Sequence, residues 1–493
     1  MKTIFILMDS LNRHYLPVYG NDWVKTPNLD RLAEKSAVFQ NHYMGSAPCM
    51  PARRELLTGR VNFLETPWCP LQPFDLSFTD ELRTQKGVYS HMITDHYHYW
   101  EYNGLGYNTV FDTWEFIRGQ EGDPWHPSVS EPDIPVYRGK NRRQDWVNRE
   151  SMNLERDLDY PTPQCFERAI DFLDKNDQAD NWHLHLEVFD PHEPFLTPEK
   201  YRQMYHDTWD KPFHFDWPDY QPVNTKIEGE EAIHHIQKYY AALVTRTDVW
   251  LGKLLDKMDE LDAWQDTAVI LTTDHGHLLG EHGYWAKNYM FDYNEIAHIP
   301  LMMVVPGSSS NRRRINALTT TVDLMPTLME LHEAQLPANI HGKSLLPLVD
   351  QDGQHHSEVL YGYFGKDVNL TDGRYTYCRQ PLEGSAVHHF TSCPVGARKN
   401  KDDYAKAETG CFLKHVPMPV YKITQTSVRH MHAPDHHLIY DLSTDPSQQQ
   451  PIHDVELEHQ LERKLTKALE QLDAPDCQYH RLGLDRYPVE NRK

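Results

Sequence analysis

The sequence predicts an α/β protein with a large central, mostly parallel sheet flanked by helices, and a smaller C-terminal region. Two patterns carry that prediction. Apolar β-type runs alternate with helix-patterned segments down residues 1–355, and several of these runs stop abruptly at an acid or a histidine. Thr3 to Met8 stops at Asp9, Trp182 to Phe189 at Asp190-Pro191-His192, and Thr267 to Thr272 at Thr273-Asp274-His275. The fully apolar Thr267–Thr272 run suits a strand covered on both faces. Open α/β sheets bind ligands outside the C-terminal ends of their strands, so the residues at these stops are candidate ligands.

A chain of 493 residues exceeds the usual single-domain size, which predicts one large domain over residues 1–355 and a smaller one over 356–493, divided in the polar stretch Asp350 to Ser357. A net charge of -23 argues against a nucleic-acid partner, and the short run Arg312-Arg313-Arg314 reads as solvated loop charge. Met1 to Met8 is too short for a signal h-region and reads as a first buried strand. No apolar run approaches the ~20 residues needed to cross a bilayer. The seven cysteines are scattered, without the spacings of a zinc site or a disulfide scaffold. These features lead to an expectation of a cytoplasmic enzyme without a membrane partner; a homo-oligomer is compatible with the sequence.

Along the chain, Thr26-Pro27 opens a helix with Thr26 as its N-cap and Leu29, Leu32 and Ala33 as its apolar stripe. Cys49 heads a helix-compatible run to Arg60, with Arg53 and Arg54 close behind. A cationic helix start favours a lowered thiol pKa and an anionic ligand, although a packed, inert thiol fits equally well. Val61 to Tyr160 is rich in Trp, Tyr, His, Pro and Asp and reads as loops and short elements around a site. Within it, the alternation of Ile93 to Tyr99 puts His96 and His98 on one face of a strand. Cys165–Leu173 is helical, Pro191 and Pro194 fix the backbone around His192, and Asp248–Trp264 is helical again. Lys287 follows a Gly- and aromatic-rich turn, and Asp323–Leu328 starts another helix. Beyond residue 356, strand-like runs at Val359–Tyr363, Arg374–Cys378 and His437–Leu442 precede a terminal helix, Val455–Leu472, which predicts a short antiparallel sheet with a helix.

Collected together, the strand-end and loop residues are Asp9, Cys49, Arg53, His96, His98, His192, Asp274, His275 and Lys287. Two carboxylates and an imidazole suit a divalent cation, while the remaining cationic groups suit a tetrahedral anion. That combination describes hydrolysis of a sulfate or phosphate ester.

The run Cys49-Met50-Pro51-Ala52-Arg53 followed by Leu57-Thr58-Gly59-Arg60 resembles the signature by which a maturation enzyme oxidises a cysteine to formylglycine. With Asp274-His275-Gly276, the run Leu279 to Lys287, Glu295 to Leu301, the Pro191–Phe195 turn and Asp323–Leu328, the chain resembles the sulfatase family of the alkaline phosphatase superfamily over nearly its whole length. The resemblance implies an alkaline-phosphatase-like sandwich. It implies one cation, Ca2+ or Mn2+, held by Asp9, position 49, Asp274 and His275. A formylglycine nucleophile would form at Cys49 and pass through a covalent sulfo-enzyme. Arg53 would neutralise that nucleophile, Lys287 and His96 would bind substrate oxygens, His192 would bind the leaving group and protonate it, and His98 would act as base. The partners implied are a sulfated small molecule or glycan and the formylglycine-generating enzyme. Ser10 after Asp9, His96-Tyr97-His98 in place of a Lys-x-His run, and His275 in place of Asn resemble the branch that includes phosphonate monoester hydrolases and choline and sugar sulfatases. Phosphonate monoester or phosphodiester hydrolysis is therefore an alternative, and an inactive sulfated-glycan binder is a third reading.

Overall fold

In the computed structural model, which describes residues 1–101, 104–308, 313–395, 401–430 and 433–484, Lys2–Met8 lies inside the main sheet. It pairs in parallel with Trp182–Val188 on one side and with Thr267–Thr272 on the other. Among the described residues this sheet has eight strands, ordered Arg314–Thr320, Ala37–Tyr43, Leu301–Val304, Thr267–Thr272, Lys2–Met8, Trp182–Val188, Tyr89–Thr94 and Thr113–Phe116. Leu301–Val304 runs antiparallel to both neighbours; the other pairings are parallel.

The alternation of side chains along the first strand explains the layering. Ile4, Ile6 and Met8 enter one core with Phe166, Leu251 and Leu254 of the helices Pro161–Asn176 and Ala232–Glu260, while Phe5 and Leu7 enter the opposite core with Leu56, Leu82, Leu324 and Leu328. Both faces of the sheet are covered, which is why its inner strands read as unbroken apolar runs. The sandwich expected from the sequence is thus present.

A second sheet has the order Leu438–Asp441, Tyr375–Arg379, Val368–Thr371, Val359–Tyr363 and Ser46–Ala47. Helix Val455–Gln471 lays Leu461, Leu465 and Leu469 on Leu360, Val368, Leu370 and Ile439. The short strand Ser46–Ala47, which leads directly to Cys49, pairs in parallel with Gly362 and Tyr363. A three-stranded sheet, Ala386–Thr391, Val420–Thr426 and Glu408–Gly410, was not foreseen.

Several expectations need correction. Tyr89–Thr94 ends before the histidines, and Tyr97–Trp100 is a short 3-10 turn, so His96 and His98 do not share a strand face. Ala37–Tyr43 escaped notice because Gln40, Asn41 and His42 interrupt its apolar run. The helix expected from Asp248 begins at Ala232, since its first turns carry His and Gln where an apolar stripe was sought. Of the basic run, Arg312 lies outside the described residues, and Arg314 bonds the Val18 carbonyl at 2.9 Å. No helix among the described residues is long and apolar enough to cross a membrane.

Helix Pro27–Lys35 forms as expected, but Thr26 does not cap it. Asp248, from the long helix, accepts the backbone N–H of Leu29 at 2.6 Å, that of Asn28 at 3.2 Å and the Asn28 side-chain amide at 3.0 Å. A buried carboxylate from a neighbouring helix therefore serves as the cap, and it ties the two helices together. Asp248→Ala is expected to lower stability by about 1–3 kcal/mol, because it strands buried donors, whereas Thr26→Ala should change it by less than about 0.5 kcal/mol. Urea midpoints of the two variants check this; equal losses would refute it.

Candidate active site

Register alone brings three acids to one level. Leu7 lies opposite Glu187 on one side and Thr272 on the other, so Asp9 and Asp274, each two residues further on, emerge together at the C-terminal edge beside Glu187. Helix Cys49–Thr58, buried along its whole length, points Arg53 into this group. The Arg53 guanidinium donates to Asp9 Oδ2 at 2.8 Å, to Glu187 Oε1 at 2.9 and 3.1 Å, and to Asp274 Oδ2. It also donates to the Cys49 carbonyl at 3.1 Å, locking the helix start. Burial works against ionised carboxyls here, but Arg53 overcomes it and holds Glu187 down to about 2. For Asp9, burial is likewise outweighed by Arg53, His192, His96 and Lys287, which keep it well below the usual carboxylate range.

Cys49 is the first residue of its helix, with Sγ 3.5 Å from His275 Nε2 and 4.0 Å from Lys287 Nζ. The cationic helix start does not lower its pKa. Burial pushes the thiol well above its ordinary value and Asp9 adds to the rise, more than Lys287 and Arg53 can offset. The sequence expectation is reversed chiefly by burial and then by Asp9 and Asp274, acids brought in from distant strands.

Asp9, Cys49, Asp274 and His275 each offer a ligand atom, all within 4.8 Å of one another and all buried. His275 Nδ1 lies 3.0 Å from the Gly276 carbonyl, which can only accept, so the proton sits on Nδ1 and the Nε2 lone pair faces the other three donors. Burial lowers the His275 pKa, which favours that neutral form. The set of carboxylates, imidazole and position-49 side chain fits one divalent cation. Gly276 is required by close approach: a Cβ there would meet the Glu295 carbonyl oxygen at 1.9 Å.

Lys287 is carried in by the hairpin of Leu278–Leu279 with Trp285–Ala286. Its flanking residues Ala286 and Asn288 both have left-handed backbones, at φ 68 and 82, as does Ser10 at φ 61. Such conformations cost about 1–3 kcal/mol each and concentrate at functional sites. Lys287 Nζ donates to Ser10 Oγ at 2.9 Å and lies 3.9 Å from Asp9 Oδ1; burial opposes its charge, but Cys49, Asp9, Glu193 and Asp274 raise its pKa.

The three histidines differ in placement. His96 is fully buried with Nε2 3.3 Å from Asp9 Oδ2, and burial lowers its pKa to about 4. His98 has its ring 5.1 Å from that of His96 and is flanked by Glu101 at 2.9 Å and Glu121 at 3.6 Å. His192 Nδ1 lies 2.6 Å from the Glu193 carbonyl, which leaves Nε2 free for another partner. Sequence reasoning noted Ser10 only as the residue standing where a second acid is expected, and it assigned no role to Glu187, Glu193 or His277. Glu193 faces His192 and His277 at 3.4 and 3.5 Å and accepts from the Tyr220 hydroxyl. An acid inside the apolar run Trp182–Val188 was the one signal that marked Glu187.

This arrangement, with acids, imidazoles and buried cations around a helix-start cysteine at strand ends, is that of a hydrolase site for a tetrahedral anion. The chain belongs to the sulfatase family, whose model matches residues 2–334. It is 24% identical over 405 residues to an arylsulfatase of Clostridium perfringens, covering 74% of this chain and 82% of that protein. Its fold resembles a structure solved with its substrate D-glucosamine-2-N,6-O-disulfate, at a TM-score of 0.66 and 16% identity, covering 96% of this chain and 98% of that one. It equally resembles the phosphonate monoester hydrolase of Agrobacterium radiobacter, at a TM-score of 0.66 and 18% identity, with both chains fully covered.

Glu55 fixes the segment before Cys49, because its Oε2 accepts the Ser46 N–H at 2.6 Å and burial pushes its carboxyl up to about 8. The folded protein holds this proton more tightly than the unfolded chain, so the contribution is complete below the unfolded carboxyl pKa and is lost as pH rises through 8. Glu55→Gln keeps the shape without the ionisation. The gap between its urea midpoint and that of wild type should shift in favour of the variant from about pH 6 to about pH 9, across the raised pKa; a gap that stays flat counts against a raised Glu55 pKa.

Proposed function

We propose that the protein hydrolyses a sulfate ester carried on a carbohydrate, with position 49 as nucleophile after oxidation to formylglycine. The observation that carries this reading is the convergence of Asp9, Cys49, Asp274 and His275 beside Arg53 and Lys287. A thiol whose pKa burial raises is a poor thiolate nucleophile, whereas a hydrated aldehyde at the same position supplies a hydroxyl. A Ca2+ or Mn2+ ion held by Asp9, position 49, Asp274 and His275 would lower that hydroxyl's pKa and polarise the sulfate oxygens.

The remaining steps fall to the chain's own side chains. Arg53 keeps Asp9 ionised, pairs with Asp274 and anchors the carbonyl of position 49. Lys287 is placed to bind a non-bridging oxygen, a role worth about 3–4 kcal/mol for a preorganised donor, and His96 is assigned a second such oxygen. His192, its Nδ1 fixed by the Glu193 carbonyl, presents Nε2 to the leaving alcohol as general acid. His98, held between Glu101 and Glu121, is the proposed base that takes the proton released when position 49 reverts to the aldehyde. Residues 1–355 form the catalytic domain in this reading, and residues 356–493 a subdomain whose sheet steadies Ser46–Ala47.

The surroundings support a polyanionic carbohydrate. Lys140 Nζ lies 3.2 Å from the centre of the Tyr220 ring, Tyr220 meets Tyr289 edge-on, and Lys366 Nζ lies 5.5 Å from the Tyr289 ring and 5.0 Å from that of Tyr363. Exposed Arg142 stands over Trp217. Three cations beside the half-exposed Tyr289 ring suit a sugar bearing more than one anionic group. Lys366→Ala should raise KM for a disulfated sugar about 10-fold while leaving kcat for a small aryl sulfate within about 2-fold, in line with lost charge-assisted contacts. An equal effect on both substrates would refute the assignment.

Phosphonate monoester hydrolysis is the second reading, favoured by Ser10, which stands where a second acid is expected and bonds Lys287. Turnover of aryl sulfate against aryl phosphonate by formylglycine-containing, metal-loaded protein separates the two. Sulfate is expected to be preferred, and strong preference for phosphonate overturns the first reading. Mass spectrometry of the Cys49 peptide should show formylglycine in protein from its native host. An intact thiol there would leave only a binding function.

A further inference from the structure

Asp323 is fully buried in the turn between strand Arg314–Thr320 and helix Leu324–Leu331, and plays no role in the site above. Its carboxylate closes a capping box by accepting the Thr320 N–H on Oδ2 at 2.9 Å, and it accepts the Lys343 N–H on Oδ1 at 2.9 Å. Those amides use two of its roughly four acceptor positions. The other approaches are taken by two imidazoles from one dipeptide. His356 Nε2 lies 2.8 Å from Oδ1 and 3.1 Å from Oδ2, and His355 Nε2 lies 3.3 Å from Oδ2.

Three features distinguish this cluster from an ordinary ion pair. His356 is shared between both carboxylate oxygens instead of committed to one. His355, with a side chain only 8% exposed, makes no hydrogen bond of good geometry from Nε2 although that atom faces the carboxylate. The separations themselves are those of metal ligands: a tetrahedral ion with bonds of ~2.0–2.1 Å has donor–donor edges of about 3.3 Å, and the two imidazoles stand 3.1 and 3.3 Å from Oδ2. The rings, 4.7 Å apart at 85°, reach the carboxylate from different directions.

We propose that Asp323 Oδ2, His355 Nε2 and His356 Nε2 form a second metal site, separate from position 49, that takes a divalent transition ion of the zinc class with water in its fourth position. Two nitrogens and one oxygen select zinc, cobalt or nickel over calcium or magnesium. The role is structural. The His356 N–H donates to the Leu318 carbonyl at 3.2 Å, and Lys343 Nζ donates to the His355 carbonyl at 3.0 Å, so the dipeptide already lies against the main sheet. Three residues later Val359–Tyr363 begins, the strand that pairs with Ser46–Ala47 ahead of Cys49. An ion here staples the smaller sheet to the larger one and steadies the approach to the nucleophile.

The full-length protein, stripped with a chelator and dialysed, is titrated with Co2+ and read by metal content and visible absorption. Wild type is expected to bind two equivalents, and Asp274→Asn to keep one with the intense bands of tetrahedral cobalt. His355→Ala/His356→Ala should lose those bands and one equivalent. Zn2+ should raise the Tm of wild type by clearly more than that of the double variant, which keeps only the site at position 49. The proposal is overturned if Asp274→Asn binds no Co2+, or if Zn2+ shifts wild type and double variant alike. His356→Ala alone, which leaves His355 against Asp323, should likewise lose one equivalent and the tetrahedral bands, so a double variant that failed to fold would still leave the test decisive.

Discussion

The Arg53 guanidinium is the interaction on which the rest of the site depends. It is 1% exposed and joins Asp9, Glu187 and Asp274 from three strands to the first carbonyl of the helix that carries Cys49. Burying an ion costs several kcal/mol, and only hydrogen-bonded opposite charges offset it, so each member of this group holds the others in place. Without the guanidinium, three carboxylates would face one another in the interior. The register of the central strands and the position of the Cys49 helix are therefore coupled through one side chain.

That coupling explains how charge and strain coexist at the strand ends. Ser10 and Ala286 hold left-handed backbones that their own side chains do not favour, and the surrounding contacts maintain them. Ser10 donates its N–H to Asp274 Oδ1 at 3.1 Å and its carbonyl accepts from the Tyr240 hydroxyl at 2.8 Å, while the Leu278–Ala286 hairpin pins the approach to Lys287. A sheet covered on both faces supplies the rigidity that such positions need. Further out, Glu193 has a comparable role, since Tyr220 and Lys140 hold it beside His192 and His277.

Much of this was legible in the chain. The inner strands were readable because a parallel sheet buried on both faces leaves continuous apolar runs, and Asp9, His192, Asp274 and His275 were readable as polar stops at their ends. Strands at the sheet's periphery, such as Ala37–Tyr43 and Thr113–Phe116, carry polar or exposed residues and left no such trace. The cap of Pro27–Lys35 was misassigned to Thr26 because the group that replaces it, Asp248, lies 219 residues beyond the Leu29 amide it accepts. Glu187 was hidden inside a strand pattern, and Glu193 looked like any turn acid between two prolines.

Local periodicity and the specific run at Cys49 were enough to determine the fold class, the inner strands of the main sheet and the residue types that gather at their ends. The electrostatics were decided by packing. The pKa of Cys49 rises where local charge argued for a fall, since burial and acids from remote strands outweigh the adjacent arginines. His96 turns to Asp9 while His98 turns to Glu101 and Glu121, because a 3-10 turn replaces the strand that would have aligned them. Coulombic interactions act through space, and which charges meet is set by the packing of the sheet and its helices rather than by neighbours in the chain.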